Sequence, residues 1–121
     1  MNFPDFTTAI KFLEEEIKTG AGFLSSKIDK MTYAALINCL KSTDAIAVKT
    51  AIDQLASEKR PLAIPPLYLV SVAHPNEWVR RQAKVGLSKL ILPTDLTKVT
   101  EDKDTKEAVM ALIDKYGHFR A

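Results

Sequence analysis

Apolar residues recur along this chain at the spacing of one helix face, and nowhere do they alternate with period two for long enough to make a strand. Phe6, Ile10, Leu13 and Ile17 mark a first helix expected from Asp5 to Lys18, with Gly20 and Gly22 as its stop. Tyr33, Leu36, Ile37 and Leu40 do the same for a second, from Asp29 to Lys41. Ser42, Thr43 and Asp44 form a short polar connection that caps a third helix reaching Ser57. A fourth starts near Ile64, because Pro65 and Pro66 fit a first turn whose amides have no helical acceptor. It ends at His74, and Pro75 with Asn76 opens a fifth helix to Ile91. Pro93 is expected to break the chain, and a last helix runs from Asp104 to Tyr116 before Gly117. Asp104 and Glu107 have capping-box spacing.

The helices repeat. A shift of 32 residues lays Ala35–Leu36–Ile37 to Asp44 over Leu67–Tyr68–Leu69 to Asn76. It also lays Ala47 on Val79, Ala51 on Ala83 and Leu55 on Leu87. A long helix, a tight polar turn and a second long helix, repeated every 30 to 45 residues or so, is the pattern of a helical solenoid.

The segment His74-Pro75-Asn76-Glu77-Trp78-Val79-Arg80-Arg81-Gln82-Ala83, with Leu87 and Leu90, resembles the second helix of a HEAT-like repeat. That family shows a polar turn, then Val-Arg, then Ala and Leu at helical spacing. Pro61 to Leu67 resembles the first helix of the same unit, and Val48-Lys49 stands near the Val-Arg place of the earlier unit. The short HEAT repeat of the phycobilisome lyases and their relatives is the subgroup it looks most like. The resemblance implies an all-α fold, a short right-handed α-solenoid of about two HEAT-like helix pairs. The pairs would occupy residues 29–57 and 62–91, with capping helices at 1–22 and 95–121. It further implies that Arg80 ties one repeat to the next through an acidic or carbonyl partner. Two repeats fall short of the three or so that usually stand alone, so the end helices cap the stack or a homodimer forms.

Composition bounds what such a scaffold does. At 121 residues, 46% hydrophobic and 26% charged, the chain is one globular domain. Its net charge of +2, from 17 basic and 15 acidic residues, is too mild for a nucleic-acid surface. A basic set of Arg60, Arg80, Arg81, Lys84 and Lys89 therefore does not make nucleic acid the expected partner. The single cysteine, Cys39, excludes an internal disulfide and a cysteine zinc site, and fits a reducing, cytoplasmic location. Met1 to Asp5 lacks the basic-then-apolar order of a signal peptide. The most apolar run, Leu62 to Ala73, holds two prolines and is 12 residues long, against about 20 for a membrane span. No membrane partner is expected.

Catalytic patterns are missing from the sequence. It has no Gly-rich phosphate loop with its lysine and no His-Glu-x-x-His. It has no Gly-x-Ser-x-Gly either. Glu14, Glu15 and Glu16 point about 100° apart on a helix, so they cannot converge on one atom. His74 reads as a turn residue, His118 as part of a solvated tail, and Cys39 as a half-buried small hydrophobe at the edge of its stripe.

One constellation remains. Val79, Ala83, Gly86, Leu87 and Leu90 form the core stripe of the fifth helix, which leaves Trp78, Arg81, Val85 and Lys89 on its flank. The same shift places Ile46 on Trp78, Lys49 on Arg81 and Asp53 on Val85. Tryptophan and arginine are enriched at interface hot spots, and second helices line the concave face of a solenoid. The alternative for Trp78 is cover by a neighbouring helix. The function expected is a non-catalytic protein-interaction module with no cofactor: an adaptor, assembly factor or complex subunit. The alternative, implied by the resemblance, is a subunit or helper of a phycobiliprotein lyase or related chromophore-handling complex.

Overall fold

The computed structural model describes residues 6–20, 35–57, 59 and 61–116, and for 14–20 the backbone alone. Every regular element among them is helical. In chain order these are α1 (Phe6–Gly20), α2 (described over 35–39), α3 (Ala45–Ser57), α4 (Ile64–Ala73), α5 (Glu77–Ser88), α6 (Pro93–Thr100) and α7 (Thr105–Tyr116). A 3-10 turn, Pro61–Ala63, leads into α4. The expected boundaries at Asp5, Gly22, Asp29 and Gly117, together with Tyr33, Arg60 and His118, lie outside the described residues. So do the side chains of Glu14, Glu15, Glu16 and Ile17.

Polar caps set the starts of the later helices. The Asp44 carboxylate accepts the Ile46 N–H at 2.9 Å, and Asn76 accepts the Val79 N–H at 3.2 Å. Asp104 accepts the Glu107 N–H at 2.8 Å, a bond that holds its carboxyl below the usual range. Pro65 and Pro66 sit in the first turn of α4 as expected.

The run from Leu62 to Ala73 is the centre of the molecule. α4 packs against α5, α7 and α1, and Ile64, Leu67, Leu69 and Val70 are all buried. Burying each such side chain is worth about 1.5–3 kcal/mol. That explains why its sequence has no polar face: the helix has neighbours on nearly every side. α1 contributes Ala9, Ile10 and Leu13 to this core, and α7 contributes Ala108, Val109, Leu112 and Ile113. Among the described residues no helix is long and apolar enough to cross a membrane.

α5 closes on two helices at once through Gly86. A Cβ there would stand 3.2 Å from Ile52 Cγ2, 3.4 Å from Ala56 Cβ and 3.7 Å from Leu67 Cδ1. Glycine thus lets α3, α4 and α5 meet at one point. The packing keeps part of the repeat register. The caps Asp44 and Asn76 stand 32 residues apart, and so do the buried pairs Ala51/Ala83 and Leu55/Leu87. Val48, Ile52, Leu55 and Ala56 of α3 also precede the buried Val79, Ala83, Gly86 and Leu87 of α5 by 31. α3 thus buries a broader face than the superposition expected from its sequence, reaching Val48, Ile52 and Ala56 beside Ala51 and Leu55. Ala47 is left half-buried where Val79 is fully buried.

Two boundaries differ from the pattern. Pro93 begins a helix rather than breaking the chain: it occupies the first turn of α6, with Asp95 beside it and Lys98 near the end. The C-terminal region thus holds two helices, α6 and α7, which pack on each other. α6 has no buried residue; Leu96, Val99 and Thr100 are half-buried and the rest exposed. α5 ends at Ser88 rather than Ile91, although the Ile91 N–H still reaches the Leu87 carbonyl at 3.1 Å.

Just past α3, Lys59 has φ of 54°, the left-handed region that costs a side-chain-bearing residue about 1–2 kcal/mol. Lys59→Gly should raise stability by about 0.5–1 kcal/mol, once the larger unfolded-state entropy of glycine is set against the relief. The midpoint of urea denaturation measures it. A lower midpoint would contradict this conformation.

Candidate functional site

The Asn76 cap fixes the rotation of α5. With Val79 held inward, Trp78, Arg81 and Val85 fall at i, i+3 and i+7 on the outer side. Trp78 keeps 36% of its surface exposed and Val85 keeps 54%. Arg81 lies 4.0 Å from the Glu77 carboxylate, and both side chains are well exposed, so the pair is loose and worth little. Lys89 is the C-cap residue, exposed and in helical conformation, so it prolongs the same side. α7 packs mainly on α4, α6 and α1, which leaves Trp78 at the surface.

The two candidate residues on α3 are placed differently. Ile46 is 66% exposed in its first turn. The Lys49 ammonium donates to Asp53 at 2.6 Å, so its charge is already paired. The buried pairs Ala51/Ala83 and Leu55/Leu87 keep Ile46 and Lys49 opposite Trp78 and Arg81, while the 31-residue match of Val48, Ile52 and Ala56 sets them opposite Glu77 and Arg80. The structure thus groups Trp78, Arg81, Val85 and Lys89 on one helix face, with Ile46 and Lys49 on the packed neighbour α3.

His74 and Arg80 build the corner between α4 and α5. Arg80 donates to the His74 carbonyl at 2.5 Å, a carbonyl partner as expected but within one helix pair rather than between pairs. His74 is the C-cap of α4, and its Nδ1 accepts the Asn76 N–H at 3.0 Å. Its ring is 6% exposed and meets Phe6 edge-on, centroids 4.8 Å apart. Burial lowers the imidazole pKa from 6.5, with the Arg80 charge acting in the same direction.

That shift has a sign. The folded state binds less proton at His74 than the unfolded state does, so the contribution to stability is complete above the unfolded value of 6.5. It is lost as pH falls below that value toward the lower folded one. Stability should therefore drop as pH falls through 6.5 and below. His74→Asn keeps an acceptor near the Nδ1 position without titrating, and should flatten that part of the profile. Denaturation midpoints across the range measure the difference, and an unchanged slope in the variant would contradict the assignment.

Cys39 is exposed rather than half-buried, because Ile37 and Leu40 take the inward positions of α2. Among the described residues no three His, Cys, Asp or Glu side chains are grouped so as to hold a metal ion. Leu92 and Val72, 65% and 44% exposed, are apolar surface that the periodicity did not single out. The signal for Leu92 was its place immediately before Pro93, outside any helical stripe. Comparison with family models, with curated proteins and with solved structures gives no match to this chain.

Proposed function

We propose that the protein is a non-catalytic interaction module that binds another protein through the outer face of α5. The observation that carries this is the exposed pair Trp78 and Val85, one heptad apart on a capped helix with Arg81 between them. Single exposed apolar side chains are ordinary. A tryptophan and a valine on one face, beside an arginine whose acidic neighbour is 4.0 Å away, have the composition of a hot spot. The helix is held rigid from behind by Val79, Ala83 and Leu87, so little ordering cost falls on binding.

In this reading α2/α3 and α4/α5 are two HEAT-like units of a short right-handed solenoid, with α1 and α7 packed together on α4 and α6 lying on α7. The packing of α3 on α5 and the matched caps Asp44 and Asn76 support it. Ile46 and Lys49 then lie at the edge of the docking face rather than at its centre.

The test is capture from the native host with two baits, the protein itself and Val85→Asp, identified by mass spectrometry. A partner held by the first and lost by the second, at equal bait stability, supports the reading. The same proteins on both baits would sink it. So would a visible-absorption change when a bilin is added, which would move the protein to chromophore handling.

A further inference from the structure

A second surface feature lies at the α4–α5 corner. A cleft of ≈ 720 Å³ opens where the start of α1, the connection before α3 and the His74–Asn76 turn come together. Phe6, Ala73 and Pro75 give it apolar walls. Its volume is in the range of sites that take small organic ligands.

The polar groups along it are biased toward donors. His74 lines the cleft while 94% of its surface is covered, its exposure being 6%. Since Nδ1 accepts the Asn76 N–H, the neutral ring carries its proton on Nε2. That N–H has no acceptor among the described residues, an uncommon state for a buried polar group. Asn76 uses its Oδ1 on the Val79 N–H, which leaves its amide NH₂ as a donor. Thr43 adds a hydroxyl and Lys41 an ammonium. Of the lining carbonyls, that of His74 already accepts from Arg80.

We propose that this cleft binds a carboxylate carried on a small apolar body, with the His74 Nε2–H and the Asn76 amide as its donors. Burial leaves the His74 donor needing an acceptor, and the Phe6, Ala73 and Pro75 walls favour an apolar body behind it. The same walls favour an anion on an apolar body over inorganic phosphate, which has none. The site is separate from the outer face of α5, and Trp78→Ala should leave it unchanged.

The experiment is a two-dimensional NMR titration of the full chain with benzoate, and in parallel with inorganic phosphate. Benzoate should shift the His74 Nε2 signal and the Thr43 and Asn76 amides saturably, while phosphate should not. His74→Asn keeps the turn acceptor and drops the Nε2 donor, so it should weaken benzoate by about tenfold, read from the Thr43 amide. Ala45→Leu, which fills the cleft from its α3 wall, should abolish binding with the rest of the spectrum intact. No saturable shift with benzoate would overturn the proposal. So would equal binding by His74→Asn, or phosphate binding as tightly as benzoate.

Discussion

Leu55→Ala and Leu87→Ala should each lower the free energy of unfolding by about 2–5 kcal/mol. Leu55 is 1% exposed and Leu87 is 3% exposed, on the faces where α3 meets α5 and α5 meets α4. Removing three carbons from either site loses their transfer free energy and leaves a cavity. The cavity cannot close easily, because Gly86 already brings Ile52 and Ala56 to van der Waals limits beside it. A domain of this size has roughly 5–15 kcal/mol in total, so each change removes a large share. Leu92→Ala, at a position 65% exposed, should change stability by less than about 0.5 kcal/mol. Urea denaturation of the three variants separates them. A cost below about 1 kcal/mol at Leu55 or Leu87 would mean that the helices do not pack as described.

Much of this fold was legible because local chemistry and tertiary packing agree. The caps at Asp44, Asn76 and Asp104 are polar residues followed by apolar helical spacing, and each accepts the N–H its spacing implies. The stripe Val79, Ala83, Leu87 is buried as its period requires. What the sequence hid was set by neighbours. The broader buried face of α3 meets α5 at Gly86, and no single-helix pattern reports which of Ala47 and Val48 faces inward. α6 was hidden because it lies on the surface with no buried side chain, so its proline looked like a break. The α5 half of the candidate face, Trp78, Arg81, Val85 and Lys89, followed from helical angle alone. The α3 half, Ile46 and Lys49, rested on the repeat shift, which holds at the caps, at Ala51/Ala83 and at Leu55/Leu87 but not at Ala47/Val79.

Trp78→Ala should weaken partner binding by about 2–4 kcal/mol, the range of a central aromatic anchor. The loss has a physical source: an indole that offers rigid apolar area at small entropic cost, bordered by Val85 and by Arg81, whose pairing with Glu77 is loose. Arg81→Glu should slow association in a salt-dependent way if the partner is acidic. Stability should respond little to Trp78→Ala, by at most about 1 kcal/mol, because the ring stands on the outer side of α5 away from Val79 and Leu87. The decisive measurement pairs the two quantities for this one substitution: calorimetric affinity for the captured partner, and the urea midpoint of the same preparation. A loss of affinity of about thirtyfold or more with a near-native midpoint is the predicted result. A collapsed midpoint with affinity unchanged per folded molecule would place Trp78 in the core and contradict the docking face.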